Sequence, residues 1–407
     1  MARTLQRLAS PNPNRKTLLM PISRTFAFAL VVMSLCACGN DNDVSGPTTS
    51  GSGGVGGSSL GGSAGSGGAT DGGSAGGETG GGNGGTSGAS GTGGVAGTGG
   101  VAGTGGTEEA GAGGQPPDAG PPPPAFKVVG YQASWSGDVH QLPFARLTHI
   151  NYSFALPRQD GGLHDVENPG KLADLVSLGH AAGVKVLIAV GGWNDGNDSA
   201  FETIAVDPGL RQTFVTNLIN FAADYDLDGV DIDWEYPDDG ASGEGFTALM
   251  AELSAQLHGS GKLLTAAVTG SSWGASGVST EVFGYVDWLN LMAYDGGSGA
   301  DHSPYSYAES ALAYWVGRGL PSDKATIGVP FYSRPGWRTY RSLVDQNPDA
   351  PYNDYLDGEW YNGIDTIQAK TRFALDNAGG VMIWELSQDT SDDTSLLKAI
   401  DDEVHAP

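Results

Sequence analysis

The sequence predicts a (β/α)8 barrel, an α/β fold of eight parallel strands, in the C-terminal two thirds of the chain. Three observations carry this. From Ala125 onward, short β-branched runs alternate with helix-patterned stretches. Eight such runs can be counted. The segment holding them, about 280 residues of ordinary composition, suits one barrel and exceeds a usual sandwich. An open doubly wound sheet is the alternative. It should show a glycine-rich phosphate turn after its first strand, and here that strand runs into Gln132-Ala-Ser-Trp-Ser-Gly137 instead.

The strand candidates are Phe126–Tyr131, Thr148–Phe154, Lys185–Val190, Gly229–Asp233, Leu263–Val268, Trp288–Tyr294, Thr326–Pro330 and Gly380–Glu385. Helix patterns fill most of the gaps. Pro169–Ala182 is one. Leu210–Tyr225 is another, with Phe214, Leu218 and Phe221 close to a 3.6-residue period, and Thr366–Asn377 is a third.

Most of the excess of the 67 glycines and 22 prolines lies before residue 125. Residues 1–24 carry Arg3, Arg7, Arg15, Lys16 and Arg24 and no acid. An apolar run, Thr25 to Ala37, follows; at about 13 residues it is short for a membrane span and right for an export signal. It ends in Leu35-Cys36-Ala37-Cys38-Gly39, which resembles a bacterial lipobox with Cys38 as the lipidated residue and Cys36 in an unusual place. Met20 as the start gives a signal of more usual length. Residues 1–38 are therefore read as a lipoprotein-type signal, and ordinary signal cleavage is the alternative. The expected location is the cell surface or outer membrane, or else secreted, with membrane contact only through the lipid.

Residues 39–124 are dominated by Gly and Ser, with Val-Ala-Gly-Thr-Gly-Gly repeated in tandem at 95–106. So few apolar side chains cannot offset the entropy of ordering, and the segment is read as a flexible tether with a reach of roughly 50 Å. Pro121 to Pro124 form a stiffer stub before a domain spanning 125–407.

Acidic residues outnumber basic ones 46 to 20, giving a formal charge of −26. Such a surface repels phosphate backbones, so nucleic acid is not an expected partner, whereas a neutral polysaccharide is indifferent to it. Both cysteines precede residue 39, so the domain has neither a disulfide framework nor a thiolate metal site.

The most informative segment is Leu227-Asp-Gly-Val-Asp-Ile-Asp-Trp-Glu-Tyr-Pro237. Alternate strand residues share a face, so Asp231, Asp233 and Glu235 point one way and Val230, Ile232 and Trp234 the other. In a barrel the acids face the axis near the C-terminal mouth, and the apolar set faces the helices. Asp228 has the opposite parity and is read as structural. Crowded like charges raise at least one pKa, so the row should hold one or more protons at neutral pH. Asp231 and Asp233 are expected to share a proton, and Glu235, nearest the mouth, to be the general acid. The rival readings are a solvated acidic turn, which the interleaved Val, Ile and Trp oppose, and a divalent-metal site, for which no phosphate-binding element follows. None of the seven histidines sits in a ligand-like cluster, and His149 is read as a core residue. No cofactor or metal is expected.

Asp228-Gly-Val-Asp-Ile-Asp-Trp-Glu235 resembles the signature of glycoside hydrolase family 18, the chitinases and their relatives. Five further stretches resemble family motifs in the same order: Gly130-Tyr131, Ala189-Val-Gly-Gly-Trp193-Asn194, Met292-Ala-Tyr294-Asp295, Gly328-Val-Pro-Phe-Tyr-Ser-Arg334 and Gly380-Val-Met-Ile-Trp384-Glu. The resemblance implies hydrolysis of chitin or chito-oligosaccharides with retention, through the substrate-assisted exception to the two-carboxylate scheme. On that basis Glu235 serves as acid and then base, Asp233 steadies the acetamido N–H, Tyr294 binds its carbonyl, and Asp231 tunes Asp233. Trp384 is implied as the floor of the central subsite. Tyr131, Gly191, Gly192, Trp193, Asn194, Tyr236, Met292 and Asp295 are implied around it. For Trp135 and Trp234 core packing is the favoured reading.

Two departures stand out. The third-strand motif often begins with Ser and here begins with Ala189, so a hydroxyl that could bond to Asp231 is missing. Only 45 residues lie between Arg334 and Gly380, too few for the α+β insertion many relatives carry there, so the cleft should be open and the cutting internal. An endo-β-N-acetylglucosaminidase of glycoprotein glycans and a non-catalytic chitin-binding barrel are the alternative functions. A monomer is expected.

Overall fold

A computed structural model of the chain describes residues 125–406. The signal-like segment 1–38 with Cys38, and the tether 39–124, lie outside the described residues.

All eight strand candidates form strands, and they close into one parallel barrel. Around the ring run β1 (Lys127–Ala133), β2 (His149–Ala155), β3 (Lys185–Gly191), β4 (Gly229–Asp233), β5 (Leu263–Thr269), β6 (Trp288–Met292), β7 (Ala325–Pro330) and β10 (Gly380–Trp384), which pairs back with β1. Strands β8 (Tyr355–Leu356) and β9 (Glu359–Trp360) form a separate antiparallel hairpin. Helices α1 (Pro169–Ala182), α2 (Ser199–Val206), α3 (Pro208–Asp224), α4 (Ala241–Gly259), α5 (Val282–Tyr285), α6 (Tyr305–Gly317), α7 (Tyr340–Gln346), α8 (Ile364–Asn377) and α9 (Leu396–Val404) lie between and after the strands, with short 3-10 turns among them. Between β7 and β10 the chain holds α7, the hairpin and α8, and no α+β insertion domain.

Two helix starts follow from local chemistry. Asp207 caps α3 by accepting from the backbone N–H groups of Gly209 and Leu210, with Pro208 in the first turn where its missing N–H costs nothing. Helix α1 likewise begins at a proline and stops at Gly183, whose φ of +77° ends the helix.

The period-2 reading of β4 holds. Val230, Ile232 and Trp234 are buried in the large shell between strands and helices, where Trp234 stacks on Phe201 at 5.1 Å and meets Phe246 edge-on at 5.9 Å. The barrel interior holds a smaller cluster that includes Tyr131, Ala189, Trp288, Met292 and Tyr294. His149 is partly buried, its ring edge-on to Trp288 at 4.7 Å, and burial lowers its pKa to about 4.

Asp228 is structural. Just before β4, it accepts from Lys185 Nζ at 2.6 Å and from the Val186 N–H at 2.8 Å, with His180 Nε2 at 2.9 Å. Burial raises its pKa, and these hydrogen bonds outweigh that and leave it below the usual carboxylate value. A depressed carboxylate adds stability above its unfolded pKa and loses it as pH falls through the folded one. Asp228→Ala is therefore expected to cost about 1–3 kcal/mol at pH 7, with the cost shrinking below the usual carboxylate pKa. Urea unfolding at several pH values measures this.

Candidate active site

The acids of β4 rise through the barrel to its C-terminal mouth, where barrel active sites form. Asp231 is fully buried at the middle level. Its register neighbours are Ala189 on β3 and Thr265 on β5. Tyr131 on β1 donates its hydroxyl to Asp231 Oδ2 at 2.6 Å. Thr265 donates to Oδ1 at 2.5 Å, and Asn290 Nδ2 on β6 to the same oxygen at 3.0 Å. Asn290 is in turn fixed by Trp288 Nε1 at 2.9 Å and Thr326 Oγ1 at 2.8 Å. The hydroxyl missing at Ala189 is thus answered from the opposite flank by Thr265.

Asp233, one level higher, is 4% exposed, and its Oδ1 has no hydrogen-bond partner. The expected proton sharing between Asp231 and Asp233 has to compete with donors already on Asp231. The Asp231 oxygens are already taken by three donors, and a carboxylate so served is stabilised as an anion. The crowding expected of the row is present. Burial pushes Asp231 up to about 6 even against its donors. Burial raises Asp233 well above the usual range, and the charges of Glu235 and Asp231 add to this. Glu235 rises to about 7 through burial and the nearby Asp295 charge, with a hydrogen bond from Tyr236 pulling the other way. The proton therefore belongs at the Asp233–Glu235 end of the row.

Above the row lies a cleft of about 1150 Å³. Trp384 at the end of β10 lies against Tyr131, edge-on at 5.5 Å, and stacks on Phe154 at 5.7 Å. Tyr294 is buried, and its hydroxyl meets only the Met382 sulfur, at 3.8 Å, so a strong acceptor can still claim it. Asp295 accepts from Tyr332 at 2.8 Å and Arg334 at 2.9 Å, and the His302 ring lies 3.2 Å away. Burial acts to raise its pKa, but these partners hold it below the usual value.

The cleft brings together Asp233, Glu235, Tyr236, Tyr131, Trp193, Asn194, Met292, Tyr294, Asp295 and Trp384. Gly191 also lines it, through backbone: a Cβ there would lie 2.3 Å from the Asp233 carbonyl, at a φ of +109°. Gly192 donates its N–H to that carbonyl at 2.7 Å, and a Cβ on it would strike the Phe154 ring. Gly191 thus lets β3 approach β4, and Gly192 lets the Phe154 ring of β2 pack against the end of β3. Trp135, read from the sequence as core, is 55% exposed and lines the cleft; the chain turns out of β1 just before it. Trp273, Tyr332, Arg334 and Trp337 also line the cleft and carried no sequence prediction as individual side chains. Thr265 and Asn290 were legible in principle, by counting inward parity along β5 and β6 to the level of Asp231.

A profile of the family described as Glycosyl hydrolases family 18 matches residues 127–389, from β1 to just beyond β10. The chain belongs to this family. The family-18 chain is 29% identical over 249 residues to a protein named Probable chitinase 10 from Drosophila melanogaster, covering 51% of this chain and 11% of that one. Two solved structures are similar over 69% of this chain, each at 28% identity and a TM-score of 0.63. One is a chitinase of Flavobacterium johnsoniae, 94% covered, and the other a chitinase of Bacteroides thetaiotaomicron, 97% covered. The family-18 chain spans less than two thirds of the length of the first curated relatives it matches, from 11% to 62%.

A raised carboxyl costs the fold stability once it must ionise: the stability is present below the unfolded pKa and lost as pH rises through the folded one. Asp233→Asn is expected to raise the melting temperature at pH 8 more than at pH 5. Calorimetry at both pH values checks this.

Proposed function

We propose that the protein is a chitinase, cutting β-1,4 linkages between N-acetylglucosamine units with retention. The observation that carries this reading is the placement of Glu235: at the cleft floor, with a pKa raised to about 7, beside a buried Asp233 whose Oδ1 is unpaired. A general acid works best with a pKa close to the working pH.

Glu235 gives its proton to the glycosidic oxygen, and the bond from that oxygen to the anomeric carbon breaks. The carbonyl oxygen of the sugar's own acetamido group closes onto the anomeric carbon, forming an oxazolinium ion. Asp233 accepts the acetamido N–H with its free oxygen, and Tyr294 donates to the acetamido carbonyl oxygen. Glu235, now a carboxylate, takes a proton from water as that water attacks the anomeric carbon and reopens the ring, which restores the acid. The chain needs no second carboxylate as nucleophile, and the substrate must carry an N-acetyl group. Trp193 and Trp384 offer ring faces to the C–H faces of sugars, and the buried Tyr131 supports Trp384 edge-on. Export through the 1–38 signal, with lipidation at Cys38, belongs to the same reading and places the enzyme where an extracellular polymer is met.

An endo-β-N-acetylglucosaminidase uses the same chemistry. The test is hydrolysis of chito-oligosaccharides beside a high-mannose glycopeptide, by wild type and by Glu235→Gln. The expected result is cleavage of the chito-oligosaccharides, lost by at least about 10²–10⁴-fold in the variant, and no cleavage of glucosamine oligomers without acetyl groups. Equal inactivity of both proteins on both substrates would falsify the reading. Because the acid must hold its proton, kcat/KM on chito-oligosaccharides is expected to fall as pH rises through about 7, and this limb should vanish from the residual activity of Glu235→Gln.

A further inference from the structure

Four exposed tryptophans follow the C-terminal ends of β1, β3, β5 and β7: Trp135, Trp193, Trp273 and Trp337. In the ring of strands β7 stands opposite β3, so Trp337 lies on the wall across from Trp193.

Trp337 is held under constraint. Its φ is +54°, in the left-handed region that a bulky side chain rarely adopts, so its surroundings must hold it there. The Arg334 guanidinium carbon sits 3.9 Å from its ring centroid, and the Tyr332 ring runs parallel to it at 5.5 Å. Glu359 braces the turn by accepting from the Ser333 hydroxyl at 2.6 Å and the Gly336 N–H at 3.0 Å. The indole nevertheless stays 60% exposed and lines the cleft.

The wall continues outward. Arg334 pairs directly with Trp360, through backbone hydrogen bonds of 2.9 and 2.7 Å, and Trp360 pairs directly with Tyr355. Residues directly opposite in an antiparallel pair share a face, so Arg334, Trp360 and Tyr355 form one row. The Tyr355 and Trp360 rings lie 4.7 Å apart, and Tyr355 is half exposed. Two strand spacings, about 10 Å, separate the ends of this row, roughly the length of two sugar units.

We propose that Trp337 and the Trp360–Tyr355 pair form a saccharide-holding shelf, which takes N-acetylglucosamine units of the bound chain beyond those over Glu235. This rests on the chitinase reading. The occupant follows from continuity and chemistry. Trp337 and Arg334 line the same cleft as Glu235, so a polymer leaving the cleft on the β7 side meets the shelf next. Rigid rings with the Arg334 guanidinium packed on Trp337 suit alternating apolar faces and hydroxyl rims better than a wholly apolar partner. The short β7–β10 connection leaves the hairpin as the outer wall on this side.

The experiment uses the full chain as wild type, Trp337→Ala and Tyr355→Ala, assayed on N-acetylglucosamine trimer and hexamer, with calorimetric binding of hexamer to the same variants in a Glu235→Gln background. The ratio of hexamer to trimer kcat/KM is expected to fall about three- to tenfold in each variant, as loss of one ring stack implies. Hexamer affinity should fall in parallel, and Tyr355→Trp should restore both. An unchanged ratio with intact hydrolysis overturns the shelf and leaves the chitinase reading standing. So does an equal loss on both lengths, or a change of sedimentation coefficient in Tyr355→Ala, which would make the surface a contact between copies. Wild type inactive on both oligomers overturns the chitinase reading and the shelf with it.

Discussion

Three hydrogen-bond donors converge on Asp231, and none reaches Asp233 Oδ1. The chemistry of the mouth depends on that asymmetry. Three carboxyls on alternate positions along one short strand and the residues just past its end cannot all ionise cheaply in a buried interior. The fold resolves the conflict by spending its donors at the lowest level. Asp231 then holds the charge, Asp233 is deprived of a partner, and Glu235 at the cleft is left with a pKa near the working range.

The barrel makes this possible because it brings side chains from distant strands to one level. Tyr131, Thr265 and Asn290 come from β1, β5 and β6, and Asn290 is itself held by Trp288 and Thr326. A pair of strands alone could not surround a carboxylate in this way. The glycines of β3 serve the same end, since Gly191 and Gly192 let the backbone lie against the Asp233 carbonyl. The apolar half of β4 is as constrained: Trp234 locks the strand against Phe201 and Phe246, so the acid row cannot slip by one residue without burying charge among the helices.

Much of this was legible in the sequence. Alternation along 227–237 placed Asp231, Asp233 and Glu235 inward, Trp234 outward and Asp228 outside the chemistry, because strand parity is a local property. All eight strands were legible for the same reason, with ends shifting by a residue or two. What parity could not give was which residue of another strand sits level with a given acid. The Ala189 departure therefore looked like a missing donor until Thr265 was found on the other flank, and a shared Asp231–Asp233 proton looked natural until three donors were counted on Asp231. Trp135 was misread because a tryptophan just past a strand end has the same local texture whether the chain turns it inward or out. The wall beyond β7 depends on cross-strand pairing of Arg334, Trp360 and Tyr355, which no local pattern encodes.

Where the protons sit in the row decides whether Glu235 can act as an acid. Carbon-13 NMR of the aspartate carboxyls, titrated with and without Asp233→Asn for assignment, reads this directly. Asp231 is expected to lose its proton at about 6, while Asp233 titrates well above the ordinary carboxylate range. An Asp233 carboxyl that ionises in the ordinary range near 4, or an Asp231 that stays protonated above pH 7, would contradict the account.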